Sequence, residues 1–300
     1  MSDTLMRKLA KPMLFAAAFI WGSSFFIMKD ALDNMPVQYL LAIRFTAGAV
    51  LLGLLCLKKW KTVFTPDYLW RGAVIGAFLY TAYTVQTYGL AWTTPSKNAF
   101  LTAVYCVIVP FLYWLIVHIR PDKFNILAAV LCVAGVGLVS LNGGLSVNGG
   151  DALTLLCAVF YASHIVAVAK VSPGRDIYLL TVFQFAFAAL YAWIGGLCFE
   201  TFPAAALSQS SVLLPLAYLS VMATTVALLF QNVGQVWSDP ASASVILSLE
   251  SVFGVLCSVL FAGDEVSGRM LARFALIFVA VVCSETKFSF LRPAGKKDPH

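Results

Sequence analysis

The 300 residues are 61% hydrophobic and only 11% charged, with a mean hydropathy of +0.88. Soluble domains are about half apolar and about a quarter charged, and in water this chain would expose very large apolar patches, so a soluble fold is excluded. The net charge of +6 informs through where its basic residues fall, not through its sum. Seven cysteines, at 56, 106, 132, 157, 198, 257 and 283, lie in or at the ends of apolar runs. They form no CxxC pair and no Cys/His spacing suited to zinc, so they read as small packing residues. No cofactor and no metal is expected.

A spanning helix needs about 20 mostly apolar residues. In chain order the sequence offers ten: 13–32, 36–57, 68–91, 98–117, 124–141, 151–171, 178–199, 212–236, 242–262 and 271–290. The first follows a basic segment, but its apolar run continues to about Ala31. It is expected to be a retained helix and not a cleaved signal peptide. The runs are too long and continuous for a β-barrel. Lys and Arg concentrate in cytoplasmic loops. With the N-terminus inside, fifteen of the 20 basic residues fall inside, and four (Lys29, Lys97, Arg269 and Arg273) fall outside. Arg44, within the second span, completes the set. Both termini are therefore expected in the cytoplasm.

A phrase is written twice. "QTYGLAWTTPSKNAFLTAVY" begins at Gln86 and "QNVGQVWSDPASASVILSLE" at Gln231, an offset of 145 that pairs Gln86 with Gln231, Gly89 with Gly234, Trp92 with Trp237 and Pro95 with Pro240. The offset holds for about 55 residues, carrying a loop onto a loop and a span onto a span. Earlier in each half, Trp21-Gly22-Ser23 aligns with Tyr161-Ala162-Ser163 at offset 140. The expected organisation is all-α: a first five-helix repeat over 1–146 and a second over 147–300. Five is odd, so the second repeat enters the membrane from the opposite side, the inverted arrangement of many secondary transporters. Pro95 and Pro240 are expected to mark helix–helix turns, and Gly89 and Gly234 to permit close helix approach.

Several stretches together resemble the EamA type of the drug/metabolite transporter superfamily. They are "FIWGSSFFIMKDAL" with "LLAIRFTAGAVLL", "YTVQTYGLAWTTPSKNAFLTAVYCVIVPFL", "LTLLCAVFYASHIVAVAK" and "ASASVILSLESVFGVLCSVLFAGDEVSG". The likeness covers essentially the whole chain. It departs at Ser251, where the family often has a proline after the glutamate of the ninth helix. The resemblance implies ten helices around a central cavity, lined by helices 1, 3, 4, 6, 8 and 9, and transport of amino acids, metabolites or drugs, mostly outward. No GxxxxGK[ST] motif occurs, so ATP is not the expected energy source.

Polar residues inside spans are the informative ones. Arg44 lies near mid-membrane, where an isolated Arg costs about 2.5–3.5 kcal/mol on insertion scales. It reads as a structural clamp or gating element, together with the turn prolines Pro95 and Pro240. Glu250 lies at similar depth and stands where the first repeat has Tyr105. It could couple a proton, pair a substrate ammonium, or hold helices together. Gln86 and Gln231 are repeat-related, and Tyr80 and Tyr83 share the face of Gln86 at helical spacing. Tyr161 and His164 lie three apart, and Trp21 is the repeat partner of Tyr161. Trp21, Tyr80, Tyr83, Gln86, Tyr105, Tyr161, His164, Gln231 and Glu250 are the expected solute-binding residues. An amide in a span is as often interhelical glue, and Trp92 and Trp237 sit near span ends as interfacial anchors.

No catalytic constellation appears, so an enzyme is not expected. The leading reading is a secondary carrier of a small organic solute, working by alternating access in a bacterial inner membrane and expected to export. Its partners would be that solute, membrane lipid and a coupling proton, not nucleic acid or ATP. Alternatives are an uncoupled channel or facilitator, for which no filter or charge ring is evident, or an intramembrane enzyme built on Glu250 and His164.

Overall fold

The computed structural model describes residues 3–62, 65–140 and 148–262, with scattered positions from 268 to 283. Among these residues the chain is helical throughout, without strands. Helices α1 (Asp3–Leu32), α2 (Val37–Leu55) and α3 (Pro66–Ala91) are followed by a short pair, α4 (Pro95–Thr102) and α5 (Tyr105–Val117), and by α6 (Lys123–Ser140). The second half holds α7 (Gly149–Val171) and α8 (Ile177–Phe199), then α9 (Ser210–Tyr218) and α10 (Ala227–Val236) joined by a π-helical segment, Leu219–Val226. A second short pair follows, α11 (Pro240–Leu247) and α12 (Glu250–Ala262). Seven stretches among the described residues are long and apolar enough to cross a membrane. Helix α3 is not one of the seven, because the run Tyr80-Thr-Ala-Tyr-Thr-Val-Gln-Thr-Tyr88 dilutes its hydropathy. The expected tenth span, 271–290, falls largely outside the described residues.

Local chemistry explains where these helices begin. Asn148 caps α7 by accepting from the Asp151 amide at 2.7 Å, and Asp151 returns the bond, completing a capping box. Asp176 caps α8 and Asp239 caps α11. Pro66, Pro95 and Pro240 occupy the first turns of their helices, where a missing N–H costs nothing.

The spans expected at 98–117 and 242–262 are each broken in two. The breaks fall at 103–104 and 248–249, and α4 and α5 map onto α11 and α12 at the 145-residue offset without adjustment. At the second break Ser248 and Ser251 donate back to the carbonyls of Val245 and Ser248, at 2.7 and 2.8 Å. That competition with the helical ladder favours a bend.

Packing across the halves is paired in the same way. Helix α3 lies on α7 as α10 lies on α1, and α5 lies on α7 as α12 lies on α1. Two glycines set the first of these distances. A Cβ on Gly89 would stand 2.6 Å from Thr154 Oγ1, and one on Gly234 would stand 2.7 Å from Leu14 Cγ. Neither helix could approach so closely with a side chain there.

Polar ties hold the ends. At one end Arg175 and Arg71 both bond the Asp67 carboxylate, Arg71 at 2.8 Å, while Lys59 pairs with Asp176. The two guanidinium groups, Arg175 first, hold Asp67 down to about 2. At the other end Lys29 Nζ donates to the carbonyls of Leu90, Ala91 and Thr93 at 2.8–3.1 Å. There too Asp151 accepts from Thr93 Oγ1 at 2.7 Å.

Candidate functional site

The two helix breaks open onto one central space. Residues Thr102 and Tyr105 flank the first break and Leu247 and Glu250 the second, and all four line it. About 460 Å³ free of protein atoms lies there. Trp21, Phe25 and Met28 from α1, Tyr83 and Gln86 from α3, Tyr161 and Ile165 from α7, and Gln231 from α10 complete most of the wall. A larger groove, of about 680 Å³ by the same measure, lies around Arg120, Asp122 and Asp239. It holds none of the candidate residues, and its two carboxylates cap the N-termini of α6 and α11.

Seven of the nine expected solute-binding residues meet in the central cavity: Trp21, Tyr83, Gln86, Tyr105, Tyr161, Gln231 and Glu250. Arg44 joins them. Two do not. Tyr80 turns toward α2, where its hydroxyl donates to Gln38 Oε1 at 3.1 Å. His164 is fully buried but lies off the cavity wall, next to Gln184. Gln184 in turn accepts from Asn232 Nδ2 at 3.0 Å. Pro95 and Pro240 sit at the far ends of their short helices, away from the wall.

The wall is tied from behind. Gln86 donates to Thr102 Oγ1 at 3.1 Å and accepts from the Tyr161 hydroxyl at 2.7 Å, so its amide fixes Tyr161 and α4. Among the described residues its repeat partner Gln231 donates to Gln235 Oε1, at 3.2 Å. Trp21 Nε1 donates to the Ala223 carbonyl at 2.8 Å, and Arg44 Nε donates to Thr224 Oγ1 at 2.9 Å. Both acceptors belong to the π-helical segment Leu219–Val226, a distortion often found at functional sites. The Arg44 guanidinium also contacts Met28 Sδ at 2.9 Å and lies 5.3 Å from the Tyr83 ring centre. Glu250, 4% exposed, lies beside the Tyr105 phenol, and its Oε1 atom has no hydrogen-bond partner among the described residues.

Sequence reasoning missed Phe25, Ile165, Thr102, Leu247 and Thr224. The first four were within reach: Phe25 pairs with Ile165 at offset 140, and Thr102 with Leu247 at offset 145. Thr224 carried no such signal, because the π turn that presents it is not written in the local sequence. The described residues hold no cluster of His, Cys, Asp and Glu able to bind a metal.

Comparison with known proteins assigns this architecture. The model of the EamA-like transporter family matches the chain twice, over residues 9–141 and 148–286. An uncharacterized transporter of Archaeoglobus fulgidus is 33% identical over 269 residues, covering 88% of this chain and 82% of the relative. The uncharacterized inner membrane transporter YedA of Escherichia coli K12 is 22% identical, covering 92% of this chain and 91% of its own length. A solved crystal structure superposes with a TM-score of 0.77 at 19% identity, over 95% of this chain and 99% of that one, a likeness of fold. With apolar helices throughout, a doubly matched family model and relatives that are transporters and not enzymes, this chain belongs to the EamA-like transporter family, as a multi-pass membrane transporter.

Proposed function

We propose that the protein is a secondary carrier that exports a small organic solute by alternating access, with the solute held in the central cavity. One observation carries this reading. Two helices broken at positions related by the same offset end on a single space that holds an arginine and a glutamate. Discontinuous helices around a midplane site are the architecture of carriers built from inverted repeats. The paired contacts of α3 with α7 and α10 with α1 support two units, 1–146 and 147–300, related by a pseudo-twofold axis. In that arrangement ten helices cross a bacterial inner membrane, with both termini in the cytoplasm.

The packing supports alternating access. The α3–α4 turn closes one mouth against α7, and the α10–α11 turn closes the other against α1. Separating either pair while the other holds would open the cavity to one side only. The direct test is counterflow in proteoliposomes. External labelled solute should accumulate transiently when unlabelled solute is preloaded, and a channel would give no such overshoot. A coupling proton is the second proposed cargo, with Glu250 as its carrier. Glu250→Gln keeps the shape but removes ionisation. It should abolish the pH dependence of net flux, and an unchanged pH profile would leave Glu250 without a role in coupling.

A further inference from the structure

Two opposite charges face the cavity and do not meet. Arg44 is 1% exposed and Glu250 is 4% exposed, and neither belongs to any ion pair among the described residues. A row of tyrosines separates them. The Arg44 guanidinium lies 5.3 Å from the Tyr83 ring centre, Tyr83 lies 5.6 Å from Tyr161, Tyr161 lies 6.2 Å from Tyr105, and Glu250 is beside Tyr105. Tyr83 and Tyr161 are within electrostatic reach of both charged groups. Among the described residues Arg44 forms no ion pair, and Tyr83 and Tyr161 lie close to it.

We propose that the cavity takes a zwitterion whose carboxylate and ammonium stand at opposite ends of an apolar or aromatic spacer. The carboxylate meets Arg44, the ammonium meets Glu250, and the spacer lies along the tyrosine row. This rests on reading the cavity as the solute site. A buried charge without its counter-charge is costly, so a solute that brings both counter-charges relieves both ends at once. A singly charged solute relieves one. An α-amino acid carries its two charges on neighbouring carbons and reaches only one end of the row. Guanidinium pairs with carboxylate through two parallel hydrogen bonds, and the tyrosine faces favour an aromatic or apolar spacer between the charges.

Calorimetric binding to the purified full-length protein tests this with four probes: 4-(aminomethyl)benzoate, benzylamine, benzoate and phenylalanine. The first carries both charges across a ring and should bind at least about tenfold more tightly than each of the others, a difference of about 1.4 kcal/mol. Arg44→Gln should erase its advantage over benzylamine, and Glu250→Gln its advantage over benzoate. Phenylalanine binding as tightly as 4-(aminomethyl)benzoate would overturn the separation of charges. Benzylamine or benzoate binding as tightly would overturn dual recognition, and no binding of any probe would overturn the assignment outright. If Arg44→Gln fails to fold, the comparison of probes on the parent protein still decides. Counterflow of a different solute would leave the carrier reading standing while this proposal fell.

Discussion

Arg44 shows how a single side chain is kept at mid-membrane depth. It lies seven residues into α2, about 10 Å along the axis at ~1.5 Å per residue, and it has no acidic partner among the described residues. The structure offers it a hydroxyl, a thioether and an aromatic face instead. Thr224 is central to this, because it accepts from Arg44 Nε while donating to the Leu219 carbonyl at 2.8 Å. Thr224→Val removes both bonds and leaves a buried charged donor unsatisfied. It should lower unfolding free energy by about 1–3 kcal/mol, seen as a lower melting temperature of the solute-free protein. Thr224→Ser keeps the hydroxyl and should melt close to the parent. If Thr224→Val melts with the parent as well, Arg44 is anchored elsewhere. Arg44 itself was legible from its sequence position, whereas its anchor was not, since a threonine 180 residues away becomes its neighbour only through tertiary packing.

At the scale of the element, helix ends decide how the cavity closes. The α3–α4 turn fits against α7 because Gly89 and Gly150 face each other. A Cβ on Gly150 would lie 2.8 Å from both the Gly89 oxygen and the Trp92 carbonyl carbon. Backbone cannot yield as a flexible side chain can, so Gly150→Ala should destabilise the protein by about 1–3 kcal/mol, the usual cost of overpacking. The adjacent Gly149 is the control. Its added Cβ would meet only the Trp92 ring at 3.6 Å, and Gly149→Ala should be neutral or stabilise by up to about 1 kcal/mol. Equal melting of the two variants would show that this contact does not set the helix spacing. The repeated Gly89 and Gly234 were readable as close-approach positions, yet the surfaces they approach belong to the opposite half of the chain.

For the whole molecule, ionic ties at one end join α3 to the α7–α8 turn. Asp67 sits between Arg71 and Arg175 and is about one-third exposed. Its folded value of about 2 lies below the ordinary aspartate value of roughly 3.9. A depressed value means that the tie stabilises the fold fully above the unfolded value and is lost as pH falls through the folded one. Melting temperature should therefore fall between about pH 4 and pH 2, and Asp67→Asn should flatten that part of the profile. High salt should weaken the same tie, since the screening length shortens to about 3 Å at 1 M. A variant with the parental acid slope would show that the tie contributes nothing to the fold.

Hydropathy and spacing by themselves determined that this chain lives in a membrane, where most of its helices run, and that its second half repeats its first. They could do so because leaving water is a property of about 20 consecutive residues, and a fixed offset needs no knowledge of the fold. The same spacing made Gln86, Gln231, Trp21, Tyr161, Tyr105 and Glu250 visible as candidates. Only the tertiary structure decided that two spans are broken and that a π segment presents Ala223 and Thr224 to Trp21 and Arg44. Tyr80 and His164 share helical faces with cavity residues yet turn to other neighbours. Helical periodicity gives the face of a residue to within a wide arc. Which neighbour that arc meets is set by how close and at what rotation the helices pack, and here backbone contacts at glycines between distant halves of the chain fix both.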